Sequence, residues 1–155
     1  MLIKNAKLYG GETTCDILIE NGKISQIGTE LQAAANQEVI DAAGAMVLPP
    51  YVDSHCHLDY VGTYGDPEYN MTGTLFDGIH IWGERKKSIT KEDVKRRSKH
   101  VLQWEIAHGT QFVRTHVNSD EPGLVSMEAM LEVKEEMRDF IDVQIVAFPQ
   151  HGLLN

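Results

Sequence analysis

Positive charge is in short supply. Fourteen lysines and arginines stand against 23 aspartates and glutamates, a net charge of −9. That balance excludes binders of nucleic acid or anionic membrane, which need clustered basic surface. Cysteine is scarce as well: Cys15 and Cys56 are too few for a disulfide framework, so reduced thiols and a cytoplasmic location are expected. No apolar run approaches the roughly 18 residues of a membrane span. The opening residues Met1 to Lys7 read as a strand and lack the apolar core of a signal peptide. Also absent are a Gly-rich phosphate loop, a Gly-x-Ser-x-Gly elbow and a Cys-x-x-Cys pair. What is present is an ordinary globular composition, 42% hydrophobic and 24% charged over 155 residues, enough for a domain with a real core.

Residues 1–45 read as short strands and turns: Leu2-Ile3, Leu8-Tyr9, Asp16–Glu20, Lys23–Gly28 and Glu38–Asp41. Asn21-Gly22 between two alternating apolar runs is a strong hairpin signal, because both central turn residues need positive φ. From Met46 the pattern turns to alternating strands and helices. A strand is expected over Met46 to His57, then a long polar loop over Asp59 to Gly73, then a short helix within Thr74 to Lys87. Thr90 with Asp93 three residues on resembles a capping box. The apolar positions after it keep helical spacing as far as Gly109. Gln111–Val117 is a second strand, Leu124 to Ile141 a second long helix, and Ile141–Phe148 a third strand. That last strand is apolar on both sides, which predicts a parallel sheet covered on both faces.

The chemistry-bearing residues fall at strand ends, where ligands bind in parallel α/β sheets and barrels. His55 and His57 flank Cys56. Residues two apart on a strand share a face, so the two imidazoles leave one side together and make a half-site for a borderline metal. For His116, at the end of the second strand, a structural hydrogen bond is the expected role. Gln150, just past Pro149, either reads a donor–acceptor pattern on a planar heterocycle or satisfies loop backbone groups. Histidines 80, 100, 108 and 151 read as incidental, and Trp82 and Trp104 as core filling. Glu84–Lys87 and Lys95–Arg97 read as solvated helix faces, and Asp120-Glu121 and Glu135-Glu136 as surface acids.

The run Pro49-Pro50-Tyr51-Val52-Asp53-Ser54-His55-Cys56-His57-Leu58-Asp59 resembles the first-strand motif of the amidohydrolase superfamily, and within it that of the bacterial cytosine deaminases. Segments 73–79 (GTLFDGI), 82–86 (WGERK), 113–117 (VRTHV), 129–134 (AMLEVK) and 141–150 (IDVQIVAFPQ) match in the same order. The resemblance therefore covers essentially the whole chain. It implies an α/β fold, the first part of a distorted (β/α)8 TIM barrel preceded by N-terminal strands of a small β-sandwich. Residues 1–45 would supply the sandwich strands and residues 46–155 the first three βα units.

The activity implied is hydrolytic deamination of cytosine to uracil and ammonia, with one divalent ion, Fe(II) or Zn(II), as cofactor. His55 and His57 carry over as metal ligands, Gln150 as a contact to the pyrimidine edge and Leu75 as a wall of the pocket. The expected partner is a small nucleobase, with no nucleic acid and no membrane, and a homo-oligomer is expected at full length. Relatives acting on isoguanine or amino-triazines are the alternative, as is an inactive remnant or interaction fragment. Dihydroorotase-like chemistry fits less well, since Leu58-Asp59 follows the His pair where that branch has a carboxylate-gripping Arg or Lys. Two departures stand out. Asn118 occupies a position where the family commonly has Asp, and a barrel alone needs roughly 250 residues. The acid–base residues, a further metal-binding His and a metal-binding Asp are thus expected beyond Asn155, and these 155 residues alone are expected to be inactive and poorly stable.

Overall fold

The computed structural model describes residues 1–152 and divides them into two compact units, Met1–Pro49 and a second from Pro50 onward. The first holds β1 (Leu2–Leu8), β2 (Thr14–Glu20), β3 (Lys23–Gly28), β4 (Val39–Asp41) and β5 (Met46–Val47). They form one sheet in the order β3-β2-β1-β4, with β5 also on β1. The hairpin between β2 and β3 turns at Asn21 and Gly22, with φ of 51° and 72°, as a type I′ turn requires. The two short strands expected near the N-terminus are one continuous β1. Its pairing with β2 slips between Ile3 and Ala6, where Asn5 takes a φ of 55°. The buried Asp16 carboxylate accepts the Asn5 N–H at 3.0 Å and the Leu31 N–H at 3.0 Å, so it satisfies a donor that the bulge takes out of the ladder.

The second unit holds β6 (Tyr51–Cys56), α1 (Leu75–Lys86), α2 (Lys91–Ala107), β7 (Thr110–Asn118), a 3-10 turn (Pro122–Leu124), α3 (Val125–Met137) and β8 (Asp142–Phe148). The three strands are parallel in the order β6-β7-β8. The single strand expected over Met46–His57 is in fact two, β5 and β6. Pro49 and Pro50 lie between them and have no N–H to give a ladder, so β5 pairs with β1 and β6 starts afresh where the Tyr51 N–H meets the Gly109 carbonyl at 2.9 Å. The helix expected from Leu124 starts one residue later, because Leu124 sits in the left-handed region (φ 51°).

Helix α2 is capped by Thr90, whose hydroxyl accepts the Asp93 N–H at 3.2 Å. It buries Val94, Ser98 and Leu102, the i, i+4, i+8 face. With Met130 and Val133 of α3, Val94 and Leu102 pack on Val113, Val117 and Val143 of the sheet. Lys91 and Lys95 reach Glu132 at 2.8 and 2.6 Å and lace α2 to α3. Trp82 is buried as expected, whereas Trp104 lies on the outer side of α2, 57% exposed, beside His100. The helix period places it away from the Val94–Leu102 face.

Only one face of the sheet is covered by these helices. On the other, Val52 and Phe112 are exposed, and Arg114 donates to Gln144 across the strands at 2.6 Å. The expectation of a sheet wrapped on both faces is therefore not met among the described residues. That face mixes Phe112 with Arg114 and Gln144. No helix among them is long and apolar enough to cross a membrane.

Candidate metal and substrate site

Both histidines of interest stand at the carboxyl end of β6. The pairing with β7 slips between Asp53 and Cys56, and the Asp53 carboxylate accepts the His55 N–H at 3.0 Å. Cys56 turns towards the helix-covered core, where burial pushes its thiol up to about 12 and favours the protonated form. His55 and His57 take the open face, with ring centroids 5.3 Å apart. The His116 ring stacks on His55 at 4.1 Å and lies 5.8 Å from His57. Phe148 meets His57 edge-on at 5.3 Å, and Tyr60 stacks between His57 (5.2 Å) and the buried Trp82 (3.9 Å).

The bond that decides the chemistry of His57 is its Nδ1 contact with the backbone carbonyl of His116, at 2.9 Å. A carbonyl only accepts, so the partner assigns the proton to Nδ1 and leaves the Nε2 lone pair available. Burial lowers the pKa of His57, assisted by His55 and His116 and opposed by the carbonyl bond. A neutral imidazole with a fixed tautomer is what a metal-ligating histidine needs. The structural hydrogen bond expected of His116 is made by its backbone carbonyl and not by its ring.

The corner after His57 is tied down at every step. The Leu58 N–H donates to the Thr115 hydroxyl at 2.9 Å, and Ser98 donates to the Leu58 carbonyl at 2.8 Å. Arg97, nearly fully buried, donates to the carbonyls of Asp59 and Val61 at 2.9 and 2.5 Å and to Asp93 at 3.0 Å. The Asp59 carboxylate accepts the backbone N–H of Asn118 at 2.9 Å, and burial pushes its pKa up to about 7. This bond uses the backbone of residue 118 and does not depend on its side chain.

A second cluster lies at the ends of β7 and β8. Asp120, its side chain 6% exposed, receives Lys86 Nζ at 2.8 Å, the His151 N–H at 2.6 Å and His151 Nδ1 at 2.8 Å. Lys86 Nζ also stands 3.2 Å from His151 Nδ1. Burial alone would raise the Asp120 pKa, but the bonds from Lys86 and His151 outweigh it and hold the carboxyl well below the usual range. A depressed carboxyl pKa stabilises the fold above about pH 4, where the unfolded chain's aspartate is also ionised, and that contribution is lost as pH falls further. Acid titration of the wild type and Asp120→Asn, followed by circular dichroism, is expected to show a shallower loss of stability below about pH 4 in the variant.

The four residues singled out in the sequence are not all gathered. His55 and His57 stand together. Gln150 sits half-buried in the turn after β8, two residues beyond the Phe148 ring that meets His57. Leu75 opens α1 and is 75% exposed. As a metal site the residues fit in part: two imidazole nitrogens suit Fe(II) or Zn(II), and catalytic zinc usually takes three protein ligands. Among the described residues no group of three His, Cys, Asp or Glu side chains is arranged to hold an ion. Several readings need correction. Lys86, Arg97, Asp120 and Glu121 are not solvated surface charges, and His151 is not incidental. Only the helix period, about 100° per residue, hinted that Arg97 points inward while its neighbour Arg96 points out.

Known proteins place this arrangement in a family. The sequence profile described as the amidohydrolase family matches residues 38–154. The 5-methylcytosine deaminase of Klebsiella pneumoniae, solved with 5-fluorocytosine, superposes with a TM-score of 0.90 at 43% identity, covering 98% of this chain and 37% of that one. The N-isopropylammelide isopropyl amidohydrolase of Pseudomonas sp. (strain ADP) is 34% identical over 98% of this chain and 39% of its own length. The pterin deaminase of Rhizobium rhizogenes is 32% identical over 90% of this chain and 32% of its own length. The chain thus spans 32% to 39% of the length of these relatives. With a parallel β-α unit that carries a paired-histidine strand end, and a profile match over most of its length, the chain belongs to the amidohydrolase family.

Proposed function

We propose that this chain carries the N-terminal part of the site of a metal-dependent aminohydrolase that converts cytosine and water to uracil and ammonia. The observation behind the reading is the His57 Nδ1 bond to the His116 carbonyl, which presents Nε2 beside His55 on the open face of the sheet. These two imidazoles would hold one Fe(II) or Zn(II). When bound, such an ion supplies Lewis acidity and lowers the pKa of a water towards 7. Gln150 offers one acceptor and two donors to the edge of a pyrimidine, and Leu75 offers exposed apolar surface at the start of α1. The corner at Leu58–Asp59 keeps His57 from turning, and the stack of Tyr60 on its ring excludes water from one side.

No catalytic acid or base is assigned among these residues. Residues 1–45 as sandwich strands, residues 46–155 as the first three βα units, homo-oligomerisation at full length and a cytoplasmic location belong to the same proposal. The Klebsiella relative bound to a fluorinated cytosine supports the pyrimidine. The Pseudomonas and Rhizobium relatives favour a second reading, deamination of another amino-heterocycle such as isoguanine or an amino-triazine.

The test is a segment exchange, with these 155 residues replacing the matching part of the Klebsiella deaminase. Ammonia release from cytosine, 5-methylcytosine and isoguanine, and isopropylamine release from N-isopropylammelide, are measured with Fe(II) or Zn(II). Turnover of cytosine is the expected result, and the 155 residues alone are expected to give none. A folded, metal-loaded exchange protein that hydrolyses only another of the four would replace cytosine with that substrate.

A further inference from the structure

We infer that Asp120 is a positioning residue that joins the helix opening at Leu75 to the turn carrying Gln150, so that the two substrate-facing elements form one wall. The inference rests on the reading of Leu75 and Gln150 given above. The turn after β8 follows the bond from the Ser119 N–H to the Phe148 carbonyl at 3.2 Å. Its own closure is the Gly152 N–H to the Pro149 carbonyl at 3.1 Å. The His151 N–H lies in the same peptide plane as the Gln150 carbonyl, so its 2.6 Å bond to Asp120 Oδ2 fixes the backbone on which the Gln150 side chain swings. Asp120 Oδ1 takes Lys86 Nζ at 2.8 Å.

Lys86 is the last residue of the 12-residue helix that begins at Leu75, a rod about 17 Å long. Arg85, next to it, pairs with Asp66 and Asp93 and so ties α1 elsewhere. Among the described residues the link from α1 to the β8 turn runs from Lys86 through Asp120, with Lys86 Nζ also 3.2 Å from His151 Nδ1. Charge-assisted bonds of this kind, around a carboxylate largely withdrawn from water, are stronger and more directional than neutral ones. An aspartate two residues past a strand end would be ordinary loop polarity. One whose two oxygens are divided between a helix end 34 residues back and a turn 31 residues on couples two elements.

The test reads the Gln150 side chain directly, by NMR and hydrogen exchange on the segment-exchange protein, in which the relative supplies the rest of the barrel. The Gln150 carboxamide pair is assigned by its disappearance in Gln150→Leu. Asp120→Ala is expected to move that pair to the averaged position of a mobile side chain. It is also expected to speed exchange of the His151 amide by about tenfold or more, the loss of one charge-assisted bond, while the Val117 and Val146 amides of β7 and β8 keep their protection. Asp120→Asn keeps an acceptor for the His151 N–H and is expected to restore much of that amide's protection without the link to Lys86. An unmoved Gln150 pair in Asp120→Ala overturns the inference, as does loss of protection spread evenly through β7 and β8. If Asp120→Ala does not fold, Lys86→Met decides: it is expected to shift the Gln150 pair with β7 and β8 unchanged, and an unshifted pair overturns the inference. No turnover enters these readouts, so failure of the cytosine assay leaves the result standing and tests a different claim.

Discussion

His57→Ala, placed in the segment-exchange protein, is expected to lose the bound metal and to cut ammonia release by more than about 100-fold, the upper range seen when even an outer partner of a metal ligand is removed. Two comparisons give that loss its meaning. His116→Ala removes a ring but keeps the backbone carbonyl that accepts from His57 Nδ1, so the His57 tautomer survives and a much smaller loss is expected. Thr115→Val removes the hydroxyl that takes the Leu58 N–H and leaves a buried donor unpaired. That should loosen the His57 corner and cost about tenfold in metal affinity. Metal content per chain after gel filtration, with ammonia release alongside, separates the three. Equal effects of His116→Ala and His57→Ala would mean that the His116 ring is itself a ligand, and the assignment of the pair would have to become a triplet.

What was legible in the sequence is what local chemistry decides. Asn21-Gly22 demanded a tight hairpin because few other residues take positive φ twice in succession, and Thr90 with Asp93 announced a helix start that the hydroxyl indeed caps. The His55/His57 parity was readable because a strand has period two. The failures have physical causes as well. The run from Met46 to His57 looks continuous in hydrophobicity, and only the missing N–H groups of Pro49 and Pro50 break it into β5 and β6. The Lys86–Asp120–His151 cluster joins residues 31 to 65 positions apart, a proximity set by topology, and no periodic signal carries it. Leu124 kept helical spacing but lies in a left-handed turn after Gly123. The open face of β7 and β8 shows the same limit from the other side, since the pattern of a strand does not record what lies against each face.

Arg97→Met is expected to destabilise the second unit by about 2–5 kcal/mol, the cost of leaving two buried carbonyls without their donor. The side chain is only 4% exposed, and its guanidinium serves the Asp59 and Val61 carbonyls and the Asp93 carboxylate together. Methionine fills much of the volume, so the loss is electrostatic and not a cavity. Asp93 keeps Arg85 and Arg96, which leaves the two carbonyls as the orphaned groups. Arg97→Lys is not expected to rescue, because one ammonium cannot reproduce the fork that spans both the carbonyls and the carboxylate. Urea unfolding gives the size of the effect, and hydrogen exchange gives its place. Faster exchange confined to residues 58–62 at low urea would show the His57 corner opening ahead of the α2–α3 core. A variant as stable as the wild type would mean that water takes over both carbonyls, and that the corner holding His57 is set by Thr115, Ser98 and Asp59 alone.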